Sequence, residues 1–185
     1  MKHWKPAAIA ALWSGALYAA PMPVVASFSI LGDVAQQIGG ERVGVQNLVG
    51  ANQDAHAYNL TSGDIKKIRE ARLVLLNGLG LEKAELQRAV KQSKVASAEA
   101  TAGIKPLAAD EHHHEHNHGH DHDHGEFDPH VWNDPVLMQR YAANVAIALI
   151  KADPAGSRYY QQRFKDYQNV LNQLNNYANQ QFGAV

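Results

Sequence analysis

Residues 61–92 read TSGDIKKIREARLVLLNGLGLEKAELQRAVKQ, and the way this stretch divides decides the fold. Thr61 and Asp64 stand at capping-box spacing, and Ile65 and Ile68 then share one side, which predicts a helix beginning near Ser62. LVLLNG, residues 73–78, is apolar without alternation until Asn77, as a strand buried on both faces would be. EKAELQRAVKQ, residues 82–92, predicts a second helix. Outward on the N-terminal side lie VVASFSI (24–30) as a strand, LGDVAQQIGG (31–40) as a helix closed by two glycines, and RVGVQNLV (42–49) as another strand. KVASA (94–98) gives a weak fourth strand. Strands alternating with helices predict an α/β fold with a doubly wound, mainly parallel four-stranded sheet flanked by helices. Right-handed crossovers bring the C-terminal ends of its strands to one edge, the edge at which such sheets bind ligands.

Further along, Asp134 and Pro135 form an N-cap and first-turn pair, and Leu137, Tyr141, Val145 and Leu149 recur at helical spacing. Asp153 and Pro154 open a last helix. In it Tyr160, Phe164, Tyr167, Leu171 and Leu174 form an apolar stripe, read as core packing, in a helix expected to run for about 25 residues or 38 Å.

The N-terminus, MKHWKPAAIAALWSGALYAAPMPVV, has two lysines, an apolar run from Ala7 to Ala20 and then small residues, the pattern of a secretory signal peptide. The run is short of the roughly 20 apolar residues of a membrane anchor and closes on Pro21 and Pro23. Three regions are therefore expected: a signal peptide over 1–19, an α/β lobe over 20–152, and a long helix with the chain end over 153–185. There is no cysteine, so neither a disulfide nor a lipid attachment point is expected, and a free periplasmic protein fits this pattern. Without residues 1–19 the formal charge moves from −1 to −3, which argues against nucleic acid as a partner.

Nine of the eleven histidines fall within EHHHEHNHGHDHDHGEFDPHVWNDP, residues 111–135, and they are of two kinds. His112, His113, His114, His116, His118, His120, His122 and His124 are interleaved with acids and almost free of apolar neighbours, so residues 110–126 are expected to form a disordered loop. From His114 onward the alternation is too regular and open for one tetrahedral site; several weak, exchangeable metal ions are expected there. His130 stands apart, four residues ahead of Asp134. His56, in ANQDAHAYNLTSGD, stands five residues ahead of Thr61. Both occupy loops that lead into a helix, and such loops collect at the ligand-binding edge of a doubly wound sheet. No H-E-x-x-H, G-x-S-x-G or Walker pattern is present, and nothing nominates a catalytic base. NGLGLE is read as a strand-to-helix turn. Asp54 and Asp128, each two residues before one of these histidines, are read as shaping the loops.

GANQDAHAYNLTSGDIKKIREARLVLLNGLGLE, followed by DPHVWNDP, resembles the metal-binding family of ABC-transporter solute-binding proteins, and the acidic histidine loop resembles that of its zinc-specific periplasmic members, the ZnuA type. The resemblance implies His56 and His130 as metal ligands in a cleft between two lobes, with a long helix joining the lobes. It implies Zn2+ as the bound ion, ahead of Mn2+, and a non-enzymatic role: periplasmic zinc capture and delivery to an inner-membrane ABC permease. Other periplasmic zinc chaperones are expected as further partners, and the protein as a monomer. Ala55 and Gly63 stand where many members have proline. The family's second lobe supplies a third histidine and usually a carboxylate; Val185 falls about where the linking helix ends, so that lobe is expected to be missing. The competing functions are a stand-alone periplasmic metal buffer using the histidine loop and a zinc-dependent hydrolase.

Overall fold

A computed structural model describes residues 20–105 and 127–183. The expected signal peptide and the histidine loop, with His112, His113, His114, His116, His118, His120, His122 and His124, lie outside the described residues. The first half of the chain is β1 (Met22–Phe28), α1 (Ser29–Gly39), β2 (Val43–Val49), α2 (Ser62–Glu70), β3 (Leu73–Leu76), α3 (Ala84–Ser93) and β4 (Ala96–Glu99). Two helices follow: α4 (Pro135–Ala152) and α5 (Ser157–Phe182).

The four strands form one sheet in the order β2-β1-β3-β4, and every pairing is parallel. The sheet is thus wholly parallel among the described residues. Alternate side chains of each central strand enter different cores, which is why their sequences are continuously apolar. Val24, Ala26 and Phe28 of β1 and Leu73 and Leu75 of β3 pack with α1, α4 and the start of α5. Val25, Val74 and Leu76 point the other way, to Ile68 of α2 and Leu86 and Val90 of α3. β4 is an edge strand with mostly exposed side chains, consistent with its weak sequence signal.

Capping accounts for several boundaries. Thr61 accepts the backbone N–H of Asp64 while the Asp64 carboxylate accepts that of Thr61, the reciprocal box expected at Ser62. Asp134 accepts the N–H groups of Val136 and Leu137 and fixes the start of α4. Other boundaries differ from the sequence reading. The first strand spans 22–28 rather than 24–30, because Ser29 and Ile30 already wind into α1. The helix expected from Glu82 begins at Ala84, because the Glu82 carboxylate is turned back into the sheet edge. The α5 stripe is buried at Tyr160 and Leu171 and half-buried at Phe164 and Tyr167, but Leu174 is 50% exposed: core packing ends one turn earlier than the pattern suggested.

Candidate metal centre

From β1 the chain crosses through α1 to β2 on one side, and β3 lies on the other side of β1. The connections therefore diverge at β1 and leave a crevice above its C-terminal end. His56 lies in the loop that follows β2, and His130 in the segment that leads to α4. Separated by 74 residues, their imidazoles meet over this crevice with Nε2 to Nε2 at 3.2 Å and ring centroids 5.3 Å apart.

His130 is oriented from several sides. The Asp128 carboxylate accepts its backbone N–H at 2.9 Å and lies 2.6 Å from its Nδ1. That places the ring proton on Nδ1 and the free lone pair on Nε2, facing His56. The backbone N–H of His130, together with its ring, holds the Asp128 carboxyl below the usual carboxylate range against the opposing effect of desolvation. Trp132 packs its ring edgewise on His130, with centroids 5.1 Å apart, and stacks obliquely on Phe28 at the end of β1, 4.8 Å away. Asn77, fully buried at the end of β3, donates from Nδ2 to the carbonyl of Pro129 at 3.2 Å and accepts the Tyr141 hydroxyl at 3.1 Å.

His56 has fewer supports. Asp54 accepts its backbone N–H at 2.8 Å. The Tyr58 hydroxyl donates to Asp64 at 2.6 Å and pins the loop where it enters α2. Burial, and then the Asp64 carboxylate, raise the Tyr58 phenol to about 12.

A buried polar base lies below both arms. Glu82 accepts the Ser27 hydroxyl at 2.6 Å, the Asn77 N–H at 2.6 Å and the Gly78 N–H at 3.0 Å. Gly78 sits at φ +89°, and a Cβ there would lie 2.6 Å from the Thr101 hydroxyl, so this turn requires glycine. NGLGLE is the strand-to-helix turn that the sequence reading gave. Sequence reasoning missed Asn77, Glu82, Ser27 and Trp132 as parts of the site's support. A signal existed for Asn77, a lone polar residue closing a buried apolar strand. For Glu82 the helical pattern pointed elsewhere.

Two imidazole nitrogens bound to one tetrahedral zinc at 2.0–2.1 Å would stand about 3.3 Å apart. The observed spacing fits such a pair with almost no movement. For both Nε2 atoms to bind one cation, each imidazole must be neutral and carry its remaining proton on Nδ1, as the Asp128 contact favours for His130. Among the described residues no group of three or more His, Cys, Asp or Glu side chains could hold a metal ion.

The family described as ZnuA, zinc-uptake complex component A, periplasmic, matches this chain over residues 24–185. The chain belongs to this family. It is 30% identical to the manganese ABC transporter substrate-binding lipoprotein PsaA of Streptococcus anginosus over 164 residues, 89% of this chain and 52% of that protein. The Mn-bound periplasmic metal-binding protein of Candidatus Liberibacter asiaticus superposes with a TM-score of 0.68 at 33% identity, covering 80% of this chain and 52% of that one. Zn(II)-bound AdcA of Streptococcus pneumoniae reaches a TM-score of 0.74 at 21% identity over 86% of this chain and 32% of its own, a likeness of fold. The chain spans about half the length of the curated relatives it matches. The family is one of metal-binding, extracytoplasmic solute-binding proteins of ABC importers, which are transport proteins and not enzymes.

Proposed function

We propose that this protein captures Zn(II) in the periplasm through His56 and His130 and delivers it to the permease of an inner-membrane ABC importer. The observation that carries this reading is the 3.2 Å approach of the two Nε2 atoms at the ligand-binding edge of the sheet. It supports a shared cation because only the neutral imidazole ligates, and Asp128 presents His130 in the tautomer whose Nε2 is free. The family match supports transport over catalysis. Among the relatives, one is named for manganese and one solved neighbour is described as Mn-bound. Zinc is favoured here by its preference for nitrogen donors and by the density of imidazoles over residues 112–124, where manganese would favour carboxylate and water oxygens. The eight loop histidines serve as an accessory, weaker store that feeds the paired site.

Zinc titration by calorimetry, on the full chain and on a version lacking residues 111–126, tests this. Deletion should remove most of the bound zinc and leave one ion per chain, and that ion should be lost when either His56→Ala or His130→Ala is added. A remaining ion indifferent to both substitutions would end the assignment. Impaired growth under chelation when the gene is deleted separates import from stand-alone buffering.

A further inference from the structure

We propose that Lys83 is a positioning residue for His56, a strut that sets the metal-binding loop at its working distance from His130; this rests on the metal-capture reading above. The Lys83 ammonium reaches back across the crevice edge and donates to the carbonyl of Ala57 and to Oδ1 of Asn59, both at 3.1 Å. Ala57 is the residue next to His56, so the strut grips the backbone one peptide away from the imidazole.

The loop needs such a strut because its packing does not extend to the ligand: Ala55, Tyr58 and Leu60 rest on the two cores, whereas His56 and Ala57 are exposed. A cavity of about 320 Å³ is lined by Ala55, Tyr58 and Leu60 of the loop, by Leu81, by Leu86 of α3 and by Phe28 of β1. Ring packing joins His130 through Trp132 to Phe28, whereas among the described residues the ring contact of His56 is with His130 itself. The loop's other backbone hydrogen bonds are short-range, from Gln53 to Gly50 and from His56 to Asp54. The strut in turn has a fixed footing. Lys83 follows Glu82, whose buried carboxylate is tied to Ser27, Asn77 and Gly78. Asn77 also holds the carbonyl of Pro129, next to His130. One buried base therefore sets both arms: His130 through Asn77 and Pro129, and His56 through Glu82, Lys83 and Ala57.

Lys83→Met keeps most of the aliphatic stem and removes the ammonium; Lys83→Arg restores a charged donor. Both can be examined in the full chain by NMR of the His56 and His130 imidazoles, assigned with the two alanine variants, during zinc titration and chelator-driven release. Lys83 is exposed, so the expected loss is that of a partly solvated charged hydrogen bond: zinc should leave Lys83→Met about two- to fivefold faster, with an association rate close to that of the parent. Lys83→Arg should recover most of the difference. In zinc-free protein, Lys83→Met should loosen the amides of residues 55–59 in nitrogen-15 relaxation and leave the His130 resonances in place. Unchanged loop relaxation together with unchanged zinc release would overturn the strut. If instead zinc shifts neither imidazole in the parent protein, the metal-capture reading fails, and the strut's role in metal binding falls with it even where the loop loosens. An equal loosening of the His130 segment, or a lower melting temperature with no rescue by arginine, would show a general structural role and likewise overturn the proposal.

Discussion

The two arms of the candidate metal centre carry the same short motif, an aspartate two residues ahead of a histidine, yet they are built differently. The His130 arm is an extension of the core: Val131 is buried, Trp132 rests on Phe28, Pro129 is bonded to Asn77, and Asp128 grips both backbone and ring. The His56 arm is a loop over a cavity, tied down at its end by Tyr58 and at its middle by Lys83. A binding protein must both hold its ion and surrender it. On the metal-capture proposal, one rigid ligand and one adjustable ligand would meet both demands, because the fixed arm would keep the site's geometry while the loose arm would supply a low-energy route for release.

The largest effect should come from cutting the rigid arm at its root. Asn77→Ala removes the donor to Pro129 and leaves the Tyr141 hydroxyl without its acceptor in a fully buried place, where burial already raises that phenol. A buried polar group stranded in this way costs about 1–3 kcal/mol, and the lost bonds add to it, so urea denaturation should show about 3 kcal/mol of destabilisation. The His130 imidazole resonances should shift while those of His56 move less. Equal disturbance of both would contradict the division into two arms.

Next in size is an acid-sensitive contribution at the end of the loose arm. Burial alone would raise the Asp64 carboxyl, but hydrogen bonds from the Thr61 hydroxyl, Tyr58, the Thr61 backbone and Lys67 outweigh it and lower the group from 3.8 to about 2. A depressed folded-state value means that the stabilisation is fully present above about pH 4 and is lost as the pH falls toward 2. It amounts to about 2 kcal/mol for this buried carboxylate. Asp64→Asn should remove that part of the acid-unfolding slope, measured by circular dichroism between pH 4 and pH 2, and should release Tyr58. A slope identical to that of the parent would mean that Tyr58 and Thr61 do not stabilise the ionised form.

What was legible in the sequence follows the same division. The alternation of strands and helices, the capping box at Thr61 and the cap at Asp134 are local patterns, and the structure contains each of them. The pairing of His56 with His130 could be inferred because topology alone sends both loops to one sheet edge. Glu82 was not legible. Its neighbours Ala84–Ser93 have helical periodicity, and only the tertiary position of Ser27, 55 residues away, shows why the carboxylate turns inward. Leu174 was misplaced for a related reason: a helical stripe records which side of α5 is apolar, but how far α4 and α1 extend to cover it is a property of their lengths.

The smallest effect tests the comparison most directly, because it substitutes the same residue type in the same motif on the two arms. Asp128 contacts Nδ1 of His130 as well as its backbone N–H, so it sets the tautomer and aim of the proposed ligand; loss of such a partner typically weakens a metal site by about 10- to 100-fold. Asp54 contacts only the backbone N–H of His56 in an exposed turn. Removing it takes away one solvated hydrogen bond, about 1 kcal/mol or less, and leaves the imidazole as free to turn as before. Asp128→Ala should therefore weaken zinc binding about tenfold or more, and Asp54→Ala by less than about fivefold, in parallel competition titrations against a chelator of known affinity. Equal losses would mean that Asp54 also reaches the His56 ring once the ion is bound. The loose arm would then become as ordered as the rigid one on loading, and release would have to begin by breaking both.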